Sequence, residues 1–312
     1  MKYILTTGCS FTNNIRLNPD NLDEHDETRR SWPYYIQQEL GDDYKVLNYG
    51  GATNDNVSMC RIQLYHIDRL IKEGVDSKDI SLMIQWSDPV RYSFYIDKKL
   101  PSNKHFLGHS LVYHNDWENK KGVFFLTGGF SPPTGPSSAS TYFNIENMIN
   151  YWELDLAYDN QINQVLHWLE LWNLLEIKCK ELGIKTYYMS MRNPFSYEAE
   201  KWGGAPNNDP DGTTKTIWFD KYEVLKPYLD ILPIDSPNYW HYKNYNGLLE
   251  WSIDNRNDDE YPLFQEYIPH NVTRYEDYLA GQPNGWGHPS PEIMEIFVKT
   301  ELKNWLDEIR NK

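Results

Sequence analysis

Short apolar runs alternate with longer amphipathic stretches along most of the chain. The runs are rich in β-branched and aromatic residues, and they predict strands at 3–7, 44–49, 80–85 and 184–191. Apolar residues repeat at helical spacing between these runs, which predicts helices at 31–41, 57–70, 155–182 and after residue 290. Such alternation of strand and helix is typical of parallel βαβ units. We therefore predict an α/β fold with a mainly parallel sheet.

Local signals refine three of these helices. Ser31 is suited to cap the first helix and Gly41 to end it. One face of this helix carries Trp32, Ile36 and Leu40. In the long helix, the predicted apolar face extends to Ile177. The predicted buried side of the terminal helix consists of Ile293, Ile296, Phe297, Leu302 and Trp305.

Two stretches interrupt the alternation, at about 92–150 and 195–270. The first contains a Gly-, Pro- and Ser-rich segment at 128–138 flanked by aromatic residues. We interpret it as an insertion across the mouth of the sheet, and the alternative is a surface decoration. The second lacks a clear apolar period, which favours a lid or arm over a domain with its own core. The prediction is one domain, 1–312, with two irregular insertions.

Charge and cysteine content limit the partners and the compartment. The net charge of −15 argues against a nucleic-acid partner and against docking on an anionic membrane. The three cysteines do not form a disulfide framework, which indicates a reducing compartment. No apolar run approaches the about 18 residues of a membrane span. The apolar run at the N-terminus is shorter than the about 7–15 residues of a signal peptide. We therefore expect a cytoplasmic protein.

The aromatic content is high, with 12 Trp, 24 Tyr and 11 Phe. Part of it must form the core. The remainder is suited to line a groove, because aromatic rings offer flat contact area to sugars, peptides or bases.

The first strand ends in a turn that contains a candidate nucleophile. Gly8-Cys9-Ser10 follows the strand directly, and such a strand-to-helix turn presents a hydroxyl at the edge of a sheet. The alternative is that Ser10 only caps a helix. Ligands of open parallel sheets bind outside the carboxyl ends of the strands. The next two strands end at Gly50-Gly51 and Trp86-Ser87, so these turns are candidate partners of Ser10.

A serine nucleophile needs a base, and His288 is the best candidate among nine histidines. It lies in a Gly-rich loop just before a helix, and catalytic groups often lie on such loops. His167 falls within the long helix, where we expect it to be packed. The spacing of His105, His109 and His114 is not a recognised metal-binding pattern. No metal or cofactor is therefore expected.

With these motifs the chain resembles the SGNH, or GDSL-like, hydrolase family, and in particular its divergent viral and bacterial members. The matching blocks, in the family's order, are Gly8-Cys9-Ser10-Phe11, Ser31-Trp32-Pro33, Asn48-Tyr49-Gly50-Gly51-Ala52-Thr53-Asn54 and His288-Pro289-Ser290. The resemblance implies a three-layer α/β/α sandwich of flavodoxin-like type. It also implies catalysis by Ser10 and His288, with an oxyanion hole formed by Ser10, Gly51 and Ser87. If the protein is viral, the virion is an alternative location to the cytoplasm.

The chain departs from the family at two positions. Ser87 stands where the family's third block has an Asn whose amide points into the oxyanion hole. Gly285 stands where the family has the acid that orients the histidine, so Asn284 or Asp277 is the candidate for that role. The candidate substrate-binding residues are Asn54, Trp86, Arg91 and Trp286; the alternative for Arg91 is a surface residue.

Three functions follow from the resemblance. The first is a serine esterase that deacylates, for example deacetylates, a carbohydrate or a similar polar ester. The second is a catalytically weakened or inactive module that binds a glycan or a protein, favoured by the missing Asn and Asp. The third is an acyltransferase that uses the same Ser10 and His288.

Overall fold

The structure is a computed structural model. It describes residues 1–9, 12, 30–51, 54–87, 89, 92–96, 110–112, 123–127, 161–195, 219, 222–243, 245–255, 289 and 291–311.

Four parallel strands form the main sheet. In chain order the described strands are β1 (Lys2–Thr7), β2 (Tyr44–Asn48), β3 (Ile80–Trp86), β4 (Tyr92–Ile96), β5 (Ser110–Val112), β6 (Val123–Thr127) and β7 (Lys185–Ser190). The sheet order is β2-β1-β3-β7, and every neighbouring pair is parallel. Leu5 of the central β1 pairs with Leu47 on one side and Leu82 on the other. The predicted α/β fold with a parallel sheet is confirmed.

Helices connect and cover these strands. They are α1 (Trp32–Leu40), α2 (Asn56–Lys72), α3 (Gln161–Leu182), α4 (Lys226–Ile231), α5 (Leu248–Asp254), α6 (Pro291–Thr300) and α7 (Lys303–Arg310). Short 3₁₀ turns lie at Ser77–Asp79, Glu223–Leu225 and Pro233–Asp235. α2 packs against α3, and α1 packs against α6 and α7. All residues of β3 are buried, as expected of a parallel strand that is covered on both faces.

The apolar periodicity correctly predicts most of the buried helix faces, with three exceptions. Trp32, Ile36 and Leu40 of α1 are buried as expected. Ile296 and Ile177 are instead about half exposed, at 47% and 49%. Each lies on the far side of its helix from the buried residues, because the apolar stripe is narrower than the sequence suggests. His167, which we expected to be packed, is exposed on the same outer side of α3.

The first predicted insertion contains a second sheet. Strands β4, β6 and β5 pair antiparallel in that order, and β4 contacts α2. The segment 128–138 lies outside the described residues.

The second predicted insertion contributes to the main core, so the prediction of a lid or arm is wrong for 222–255. The backbone N–H of Tyr188 in β7 donates to Asn238 O, and its carbonyl oxygen accepts from Trp240 N, both at 2.7 Å. These bonds add a short parallel pairing to the edge of the sheet. The buried side chains of this segment include Leu225, Ile234, Tyr239, Leu248 and Trp251. These buried residues are scattered along short helices and turns. They therefore do not repeat at the spacing of a helix or a strand, and the sequence gives no apolar period for the segment.

Candidate functional site

The turns that leave β1 and β2 are joined by backbone hydrogen bonds at the carboxyl edge of the sheet. Tyr49 N donates to Thr6 O at 2.8 Å, which continues the strand pairing by one residue. Gly51 N then donates to Gly8 O at 3.0 Å. The two turns predicted to hold the nucleophile and its oxyanion donor are therefore neighbours.

Thr12 fixes the turn after β1. Its N–H donates to Cys9 O at 3.0 Å, so this bond joins the two described residues that flank the predicted nucleophile. Its hydroxyl donates to Gln85 Oε1 at 2.8 Å and accepts from Trp32 Nε1 at 3.1 Å. A Cβ at Gly8 would overlap Thr12 Oγ1, so only glycine allows this close approach. The sequence analysis did not identify Thr12.

Ser31 and Asn48 complete the support of Thr12. Ser31 Oγ and Asn48 Nδ2 each donate to Thr12 O at 2.8 Å. Ser31 has the extended backbone of an N-cap, but its side chain makes no cap bond to α1. The predicted cap residue therefore holds the turn after β1 instead.

The turn after β3 is held by the first residue of α2. Asn56 Oδ1 accepts from Ser87 N at 2.7 Å, and Asn56 Nδ2 donates to Ser87 O at 3.1 Å. The amide thus pairs with both backbone groups of Ser87, as a neighbouring strand would. Ser87 is buried, and its Oγ has no hydrogen-bond partner within the described residues.

Gly51 differs from its predicted role. We expected its N–H to point at the oxyanion, but that N–H donates to Gly8 O. In this structure it stabilises the contact between the two turns. Gly51 therefore lies in the turn after β2, but its N–H is not free to bind an oxyanion.

Trp86 lies in the core, away from an accessible surface. Its ring is fully buried and stacks on Tyr188, with centroids 5.6 Å apart and an interplanar angle of 8°. Trp168 and Trp172 of α3 lie on its other sides, at 5.4 and 5.0 Å. The predicted substrate contact does not fit this placement, because Tyr188, Trp168 and Trp172 already pack against the indole.

A buried carboxyl group lies beside the turn after β7. Cys9 Sγ lies 3.4 Å from Met191 Sδ, so this turn adjoins the turn after β1. Leu249 N donates to Met191 O at 2.8 Å, which brings α5 to the same edge. Glu250 follows in α5 and accepts from Gly247 N at 2.8 Å. Burial raises the pKa of Glu250 to about 6, although backbone donors and Arg192 oppose the rise.

Sequence reasoning missed Glu250, and its signal was weak. The carboxylate occupies the third helical position after Gly247, the spacing at which an acidic side chain bonds the N–H of a cap residue. The segment around it lacks an apolar period, so the sequence does not single this carboxylate out.

The described residues approach the predicted base but do not include it. Pro289 is buried, and α6 begins at Pro291. α6 packs against α1. Trp32 in the first turn of α1 donates to Thr12 Oγ1, so α6 packs on a helix that supports the candidate site.

Several predicted site residues lie outside the described residues, and their roles remain predictions. They are Ser10, His288, Asn284, Asp277, Arg91 and Trp286, together with His105, His109 and His114.

Searches for other kinds of site give two results on the described part of the chain. No group of three or more His, Cys, Asp and Glu side chains there is arranged to hold a metal ion. None of its helices combines the length and apolar character needed to cross a bilayer. All three cysteines are described, and each is a buried free thiol.

Comparisons with protein-family models, with curated proteins and with solved structures find no match to this chain. The SGNH resemblance therefore depends on the sequence blocks alone.

Proposed function

We propose that the protein is a serine esterase of the SGNH type that hydrolyses an O-acyl ester on a carbohydrate or a similar polar molecule. The observation that carries the proposal is the convergence of the turns after β1, β2 and β3 at one edge of the parallel sheet. Gly51 N bonds Gly8 O there, and Thr12 bonds Gln85. Ligands of open parallel sheets bind at this edge.

In the proposed reaction His288 takes the proton of Ser10 Oγ, which attacks the ester carbonyl carbon. The carbonyl π electrons move to the oxygen, and the N–H of Ser10 and the hydroxyl of Ser87 donate to that oxyanion. Collapse re-forms the carbonyl and breaks the bond to the alcohol, which receives the proton from His288. Water repeats the sequence and releases the acid. Gly51 N–H joins the oxyanion hole only if it leaves Gly8 O.

The proposal extends to fold and location. The two helix groups, α2 with α3 and α1 with α6 and α7, are suited to cover opposite faces of the sheet as a three-layer sandwich. The segments 92–150 and 195–270 are then insertions in a flavodoxin-like fold. We place the protein in the cytoplasm, with a polar ester as its substrate and no nucleic-acid partner.

A fluorophosphonate probe tests the proposal, because it forms a covalent bond only with an activated serine. We expect the intact protein to be labelled and Ser10→Ala to remain unlabelled. We expect His288→Ala to be labelled far more slowly. Absence of labelling in the wild type, or equal labelling of Ser10→Ala, would show that the protein is not a serine esterase.

One observation favours a second function, a glycan- or protein-binding module without catalysis. Gly51 N–H is engaged by Gly8 O, so the predicted oxyanion hole lacks a free backbone donor at that point. Under this alternative, binding of an oligosaccharide persists in both Ser10→Ala and His288→Ala. No acyl ester is then turned over by the wild type.

A further inference from the structure

The amide of Asn54 is a buried polar group without a hydrogen-bond partner among the described residues. Asn54 is fully buried, and neither its Oδ1 nor its Nδ2 has a hydrogen-bond partner within the described residues. Buried polar atoms in folded proteins are nearly always hydrogen-bonded, and an unsatisfied one destabilises the folded state. A group kept at such a cost needs an explanation beyond packing.

The described residues on either side of Asn54 bond the turns after β1 and β3. At one end of this segment, Gly51 N bonds Gly8 O of the β1 turn. At the other end, the Asn56 amide bonds both backbone groups of Ser87 in the β3 turn. β1 lies between β2 and β3 in the sheet, so Gly51 and Asn56 bond turns at the carboxyl ends of neighbouring strands. Asn54 lies between these two residues in the sequence.

The position of the Asn54 side chain is set by its neighbours. Asn54 N donates to Gly51 O at 3.0 Å, which closes a tight turn. The carboxamide then lies against Gly51, where a Cβ would overlap Oδ1. Asp55 caps α2 immediately afterwards by accepting from Ser58 N at 2.9 Å. Asn54 is thus held between a glycine turn and a capped helix, which is the support that a preorganised donor needs.

We infer that the Asn54 side-chain amide is an oxyanion donor, which compensates for Ser87 at the position where an amide was expected. The inference rests on the proposed function. When Ser10 Oγ bonds the carbonyl carbon and the π electrons move to oxygen, Asn54 Nδ2–H donates to that oxyanion. The bond is released when the carbonyl re-forms. The Ser87 hydroxyl, which is also buried and unpartnered within the described residues, is a second candidate donor.

The test compares Asn54→Ala and Asn54→Asp with the wild type in hydrolysis of 4-nitrophenyl acetate. Both variants remove the amide N–H₂, and Asn54→Asp keeps the shape of the side chain. Removal of one oxyanion donor lowers kcat by about 10²-fold to 10³-fold. We expect that loss with KM changed by less than about threefold, because the donor acts in the transition state. Inhibition by phenylboronic acid, whose serine adduct is tetrahedral, should weaken in step with kcat.

A matched control separates the role of the amide from a general effect of the added charge. Asn304 is exposed on α7, and Asn304→Asp makes the same chemical change away from the sheet edge. We expect Asn304→Asp to keep the wild-type kcat and the wild-type response to phenylboronic acid.

Three outcomes would overturn the inference. Folded Asn54 variants with kcat within about threefold of wild type would show that the amide does not act on the oxyanion. If Asn54→Ala, Asn54→Asp and Asn54→Ser all melt below the assay temperature, the amide is structural. If the wild type is no faster than Ser10→Ala, the proposed function fails first and the inference fails with it.

Discussion

At the scale of single residues, Glu250 links stability to pH. Its pKa is raised from 4.5 to about 6 in the folded protein, mainly by burial. The folded state therefore binds the proton more tightly than the unfolded chain does. Glu250 contributes stability fully below about pH 4.5, and the contribution disappears as the pH rises through about 6. A shift of this size corresponds to about 2 kcal/mol.

The variant Glu250→Gln isolates this contribution, because Gln does not titrate. We expect the free energy of unfolding of the wild type, measured in urea, to fall by about 2 kcal/mol more between pH 4.5 and pH 7.5 than that of Glu250→Gln. Glu181→Gln on the exposed side of α3 is the control and should follow the wild type. Parallel pH profiles for wild type and Glu250→Gln would show that Glu250 titrates normally.

Some residues of the candidate site can be recognised from the sequence around them, and others cannot. Gly8 and Gly51 follow β-branched or aromatic runs, so the sequence alone identifies their turns. Thr12 acts through Gln85, which is 73 residues away, and Asn56 acts through Ser87, 31 residues away. No periodicity or motif within either segment encodes these pairings. Sequence therefore predicts these turns and misses the residues that hold them together.

At the scale of elements, Asp55 caps the N-terminus of α2, the helix whose first residue bonds the turn after β3. Asp55 Oδ1 accepts from Ser58 N at 2.9 Å, and Oδ2 accepts from Ser58 Oγ at 2.7 Å. We expect Asp55→Ala to lower the free energy of unfolding by about 0.5–2 kcal/mol, the cost of a lost N-cap. Asp55→Asn should lose much less, because Asn caps helices about as well as Asp.

Urea unfolding of the two variants measures this difference. The comparison distinguishes cap geometry from charge, since only the Ala variant removes the acceptor. An equal loss in Asp55→Asn and Asp55→Ala would contradict a role for the cap bond and indicate an electrostatic role of the carboxylate.

The four strands of the main sheet were predictable because each is a short buried run bounded by turn residues. The helices predicted at 31–41, 57–70 and 155–182 were predictable for the same local reason, whereas the single predicted terminal helix is two helices, α6 and α7. The width of the buried face was not predictable, as Ile177 and Ile296 show. Neighbouring elements decide which apolar residues are covered, and the sequence pattern of one helix does not contain that information.

At the scale of the whole molecule, residues 222–255 belong to the same core as the sheet. Tyr188 exchanges backbone hydrogen bonds with residues 238 and 240, and Trp305 Nε1 donates to Pro237 O at 3.0 Å. Aromatic residues spaced without a period were interpreted as an arm, although here they fill gaps between helices and the sheet edge. An aperiodic, Trp- and Tyr-rich segment is consistent with either structure until its partners are known.

Phe297 of α6 tests whether this segment and the C-terminal helices form one cooperative unit. Its fully buried ring contacts Trp240 and Trp251, with centroid distances of 4.8 and 5.1 Å. We expect Phe297→Ala to lower the free energy of unfolding by about 3–5 kcal/mol, the cost of a large cavity in a core. The adjacent Ile296 is half exposed, so Ile296→Ala should change it by less than about 0.5 kcal/mol.

Hydrogen exchange locates the effect within the molecule. If 222–255 shares the core, Phe297→Ala accelerates amide exchange in residues 238–251 and in β7 together, because both open in the same global unfolding. A variant in which residues 238–251 exchange faster while β3 and β7 keep their wild-type protection would contradict the single core. That result would mean that the segment unfolds separately, as the arm predicted from the sequence would do.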